Sequence, residues 1–138
     1  YINTNQSFAF ADGTVTASYG TATPKEHVDR NGTDKDGVEL NPVVVIEGLK
    51  TNLIRDLKTN VANELAKTDW YITRNTEKST AIPSAISTHR DAVRTKQASM
   101  ETAITNAADT AALETLHTYT TTDGVQSRPL GELPVLES

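Results

Sequence analysis

The 138 residues predict an α+β fold: a helical hairpin, a short third helix, a small N-terminal β-hairpin and an extended C-terminal arm. Two blocks, about 48–67 and 83–106, repeat apolar residues at helical spacing. Alternating runs flank Asp12-Gly13, a turn pair suited to a hairpin. Pro129 and Pro134 keep the last residues extended. The expected organisation is a β-rich arm over 1–46, a helical hairpin domain over 47–118 and a tail over 119–138.

Composition sets the size of the core. Apolar residues make up 36% of the chain and aromatics 5%, below the usual value of about 45–50%. The core should be modest and aliphatic, with part of the chain resting on a partner. Thr occurs 22 times, which favours extended segments over long, strong helices.

Each element follows from its residues. In 1–23, Phe8, Phe10 and Tyr19 are expected to share one face of the first hairpin. Residues 24–42 are turn chemistry, with Asn31-Gly32 and Asp36-Gly37 inside and Pro at both ends. A calcium loop is considered there and rejected. With Gly37 at its sixth position, Gly32 falls first and Val43 stands where a bidentate Glu is needed. Val43 to Ile46 read as a short buried strand. Leu49, Leu53, Ile54, Leu57, Val61 and Leu65 then form the stripe of the first long helix. A connection of some 15 residues follows, and Trp70 with Tyr71 is expected to pin it down. Ile82-Pro83 opens the second long helix, whose apolar side is Ile86, His89, Val93, Met100 and Ile104. Asp109 should cap a short helix over 111–116. His117 to Thr122 reads as strand, Asp123-Gly124 as a turn and Val125 to Ser127 as its return.

Charge and motifs narrow the function. Net charge is −5 and uneven. Residues 1–46 hold six acids and three bases, 47–108 seven acids and nine bases, and 109–138 five acids and one base. Without a clustered basic face, nucleic acid is not an expected partner. The absence of Cys excludes disulfides, zinc–thiolate sites and thiol catalysis. No apolar run approaches the roughly 20 residues of a membrane span, and no signal-type apolar segment is present. The chain opens on Tyr1 rather than Met, as expected of a cleaved product or a piece of something longer.

Residue chemistry points away from catalysis. His27, His89 and His117 never fall at ligand spacing, and no nucleophile-elbow, P-loop or dinucleotide motif occurs. The expectation is a protein that is not an enzyme, with no cofactor and no metal. His89 should be a core histidine. Arg90 and Arg94 should pair with Asp69, Glu64 or Glu77, since a guanidinium holds a carboxylate through two parallel bonds. A clamp on an acidic partner or a phosphate is the other reading of this pair. The interaction candidates are therefore Asp69, Trp70, Tyr71, His89, Arg90 and Arg94. As a buried plug, Trp70 should cost about 3–5 kcal/mol on truncation to Ala. As a surface pair, Arg90 should cost about 0–1 kcal/mol.

Leu65-Ala-Lys-Thr68-Asp69-Trp70, followed by His89-Arg90-Asp91-Ala92-Val93-Arg94, resembles the C-terminal segment of phage tail-fibre assembly proteins. His89 takes the Tyr place of that family's pattern, Val93 takes the Leu place, and the second Trp is missing. The matching stretch is roughly 50–95, a third of the chain. With its Asp-Gly turns, Arg-Pro-Leu-Gly and Pro-Val-Leu, the whole chain also looks similar to proteins of T4-like phages of marine cyanobacteria.

The resemblance implies a virion structural protein of the tail, fibre or neck region, present in several copies among other phage structural proteins. A non-virion chaperone of fibre assembly, working in the cytoplasm of the infected host, is the alternative it leaves. A receptor- or glycan-binding tip module is a further one, for which the aromatics are few.

Overall fold

The computed structural model describes residues 6–136. It is a mixed α+β protein, mostly helical, and divides into a unit ending at Leu49 and a unit starting at Lys50.

The first unit is built of turns and short strand pairs. Strands β1 (Ser7–Ala11) and β2 (Thr14–Ser18) pair antiparallel, with Phe8 opposite Ala17 and Phe10 opposite Val15. The two-residue turn has positive φ at both Asp12 and Gly13, the mirror-type geometry whose twist matches that of the strands. Period-two alternation puts Phe8, Phe10, Val15 and Tyr19 on one face, as expected, but that face is open: Phe10 is 74% exposed. A second, irregular hairpin joins β3 (Arg30–Asn31) to β4 (Val45–Ile46). The Asp34 carboxylate accepts from the backbone N–H of Asp36 and Val38, each at 2.9 Å, and so serves its own turn. Val43 to Ile46, expected to be buried, are 41–57% exposed. Two-residue strands offer no second layer to cover them. Gly48 closes the unit: its N–H donates to Asp29 Oδ1 at 2.7 Å, and a Cβ there would meet the Val28 carbonyl carbon at 2.3 Å.

The second unit holds the core. Helix α1 (Leu49–Ala66) and helix α3 (Ser84–Asn106) run antiparallel, tied at one end by Lys50 Nζ donating to Thr105 O at 2.8 Å. At the other end, Arg90 donates to Leu65 O at 2.8 Å. The expected stripes are the ones used. Leu57 and Val61 of α1 are buried, as are Ile86, His89, Val93, Met100 and Ile104 of α3. Helix α4 (Thr110–His117) is capped by Asp109, whose carboxylate accepts from Ala112 N–H at 2.7 Å. Among the described residues, no helix is long and apolar enough to cross a membrane.

Two expectations about this unit are corrected. The connection between the long helices is itself a helix, α2 (Asp69–Lys78), with Asp69 in its first turn and Lys78 in its last, the charge order that suits a helix dipole. It ends at Ser79, whose φ of 52° is left-handed and whose N–H donates to Asn75 O at 2.8 Å. The hairpin expected after His117 is present, but the last ten residues do not begin as the extended tail expected there. Strands β5 (Thr120–Thr122) and β6 (Val125–Ser127) form a hairpin about Asp123-Gly124. The chain then returns to the helices, where Leu130 is 5% exposed and donates its N–H to Leu116 O at 3.0 Å.

Candidate functional site

The joint where α1 ends, α2 begins and α3 passes gathers most of the candidate residues. The last turn of a helix leaves carbonyls without partners. Here Leu65 O, in the last turn of α1, is met by the Thr68 N–H at 3.1 Å, by the Thr68 hydroxyl at 3.0 Å and by Arg90 from α3. Arg90 Nη1 also reaches Thr68 Oγ1 at 2.7 Å and Asp69 Oδ1 at 2.9 Å. One guanidinium thus caps α1 and holds the first residue of α2. Thr68 is 1% exposed and Arg90 9%. The pairing of Arg90 with Asp69 is the one expected from the sequence, but Arg90 is buried rather than a surface partner. A cost of 0–1 kcal/mol for its loss no longer applies.

His89 lies one position away, buried on α3 as expected. Its Nε2 is 3.3 Å from Glu64 Oε1 but makes no hydrogen bond. The Glu64 carboxylate accepts from Lys67 Nζ, and this bond holds its pKa below the usual value. Burial opposes that shift, and the Lys67 and His89 charges add to it.

Trp70 is not the plug. Helix α2 turns it outward, where it is 51% exposed, and Thr68 takes the buried place beside it. Tyr71 lies against it with ring centroids 3.8 Å apart. The Arg74 guanidinium sits over both rings, 4.7 Å from the Trp70 centroid and 5.4 Å from that of Tyr71. Arg74 Nε is buried without a hydrogen-bond partner. None of the ten residues of α2 is buried. An aromatic pair under an arginine, on a helix without a buried residue, is the composition of a protein contact rather than of a core. Arg94 stands apart, half exposed and bonded to Asp91 Oδ1 at 3.2 Å.

The six candidates therefore divide. Asp69, His89 and Arg90 belong to the joint, Trp70 faces outward with the half-buried Tyr71 against it, and Arg94 joins neither group. Sequence reasoning missed Thr68 as the buried linchpin and Arg74 as the third member of the outward cluster. The spacing of Arg74, four residues after Trp70, was the available signal. Among the described residues, no group of three or more acidic or histidine side chains could hold a metal ion. No family model matches the chain, and neither the curated proteins nor the solved structures compared with it give a match.

Proposed function

We propose that the chain is a non-enzymatic structural protein of a phage particle, in the tail, fibre or neck region, and that α2 carries one of its assembly contacts. The cluster of exposed Trp70 with half-buried Tyr71 and Arg74 carries this reading, because it holds aromatic surface and a cation on a helix without a fully buried residue. The resemblance of Leu65–Trp70 and His89–Arg94 to tail-fibre assembly proteins supports the particle context. The thin core and the open apolar face of the first hairpin suit a subunit placed among neighbours.

Trp70→Ala and Arg74→Ala test the contact. Each is expected to leave the melt within about 1 kcal/mol of the parent, as for surface residues, while particle assembly or partner capture falls at least tenfold. A loss of stability as large as about 3 kcal/mol with Trp70→Ala would return the residue to the core and end the reading. Peptide mass spectrometry on purified particles tests the location. Absence from mature particles would move the protein to the role of an assembly chaperone that leaves.

A further inference from the structure

Arg74 is held in place but not paired. Its guanidinium lies over the rings of Trp70 and Tyr71, at 4.7 and 5.4 Å from their centroids. Among the described residues it has no hydrogen bond or ion pair, and its Nε is buried without a partner. Glu77, three residues on and at the spacing of a helix pair, makes no ion pair with it. Arg90, Arg94 and Arg128 differ in this respect: each meets a carboxylate within 3.2 Å.

Stacking engages the face of a guanidinium and leaves its edge, where the N–H donors are, for a further group. A planar cation already held in place loses less freedom for each hydrogen bond it forms. The groups that match its fork are a carboxylate and a phosphate. The surroundings choose between them. Helix α2 carries two acids, Asp69 and Glu77, and two bases, Arg74 and Lys78. A row of phosphates would meet those acids, on a chain of net charge −5 without a clustered basic face to offset them. A single carboxylate makes no such demand, and Lys78, four residues after Arg74, lies on the same side of the helix to support it. Beside the cation, Trp70 is 51% exposed and offers apolar surface.

We propose that α2 recognises an acidic side chain set next to an apolar one on a partner protein. The carboxylate bonds the edge of the Arg74 guanidinium, and the apolar neighbour packs on the open part of Trp70. This recognition rests on the reading of α2 as a contact face and names what that face takes. Charge complementarity selects the acid, since Arg74 is a cation without a carboxylate, and the exposed indole selects the apolar neighbour. Closing the contact excludes water from the guanidinium, which strengthens the pair beyond that of two exposed charges.

The only Trp of the chain lies at the site and reports on it. The full chain is applied to immobilised short peptides that carry Asp or Glu beside Leu, Ile or Phe, each paired with its Asn or Gln twin, and to oligothymidylate. Acidic peptides are expected to retain it and, in solution, to shift the Trp70 emission on titration. The amide twin with the parent chain, and the acidic peptide with Arg74→Gln, should each bind about tenfold more weakly. Arg74→Lys should recover part of the loss, since it keeps the charge but not the planar fork. Equal binding of the amide twin overturns the proposal, and this arm uses the parent chain, so it holds even where a variant fails to fold. Retention by no acidic peptide overturns it too. Stronger retention by oligothymidylate than by any peptide would make phosphate the ligand and overturn it as well. Assembly separates this from the underlying reading. Failure with the peptides while Trp70→Ala and Arg74→Ala still lose assembly removes the carboxylate and leaves α2 a contact, whereas assembly untouched by both variants removes the contact itself.

Discussion

Arg90 shows how a residue's neighbours set its value. On a helix wheel it sits beside the apolar stripe of α3, and sequence alone suggests a surface partner for a carboxylate. In the fold its guanidinium donates to Leu65 O, beside the Thr68 N–H and hydroxyl, and to the buried Thr68 hydroxyl itself. Its ion pair with Asp69 is the weaker part, because the Asp69 side chain is 60% exposed. Arg90→Ala removes the charged donor that Leu65 O and the Thr68 hydroxyl share, while both keep their bond to each other, and is expected to cost about 1–3 kcal/mol. Arg90→Lys should recover only part of this, since the shorter side chain does not place its ammonium where Nη1 meets its three acceptors. Chemical denaturation measures both, and a loss under about 1 kcal/mol for the alanine variant would mean that water replaces the guanidinium without penalty. The same joint explains what was legible. The Arg90–Asp69 pair could be read from chemistry and approximate spacing. The burial of Thr68 could not, because it depends on where α1 stops and α2 turns Trp70 outward.

At the level of elements, the stretch between α4 and β5 and the segment returning after β6 are joined by a small polar clasp. Tyr119 Oη donates to Glu132 Oε1 at 2.5 Å, Arg128 Nε lies 2.7 Å from the same oxygen, and the Arg128 guanidinium sits 5.1 Å over the Tyr119 ring. The phenol bond, followed by Arg128, holds the Glu132 pKa below the usual carboxylate value. The same bond raises the Tyr119 pKa. The signs define a window. The lowered Glu132 contributes stability that is present above the normal carboxyl range, about 4.3, and is lost as pH falls through its depressed value. The raised Tyr119 contributes below the normal phenol value, about 10, and that part is lost as pH rises through its raised one. Tyr119→Phe should therefore melt below the parent at pH 7, with a narrower gap at a pH acidic enough to protonate Glu132. An equal gap at both pH values would mean that the clasp carries no linked proton. The turns that bring these residues back were readable, since Asp-Gly marks both mirror-type hairpins. The return itself was not, because Pro129 and Pro134 suggest that the last ten residues are extended and hide the burial of Leu130 between them.

Across the whole molecule, burial is distributed unequally. Among the described residues, every buried hydrophobic lies between Leu57 and Leu130, and none belongs to the unit that ends at Leu49. The lean composition was a readable sign of this, but its location was not. Phe8, Phe10 and the valines at 43–45 have strand-forming chemistry whether or not anything covers them, and only the fold shows them open. Two-stranded pairs without a covered face are marginal in water, whereas an antiparallel helix pair with a shared apolar stripe can sustain a cooperative fold. The two parts should accordingly separate in their stability. A fragment spanning 47–138 is expected to keep its helical circular dichroism and a single cooperative melt within a few degrees of the parent. A fragment spanning 1–46 should show no cooperative transition and little protection from hydrogen exchange. If the longer fragment loses its melt, the first unit supplies part of the core through contacts that its exposed side chains do not display. A cooperative transition in the shorter fragment would mean that turns and strand pairs suffice there without a core. If both expectations hold, the first unit has strand-forming apolar surface and no stabilising interior, which is the condition under which binding a neighbour contributes most to order.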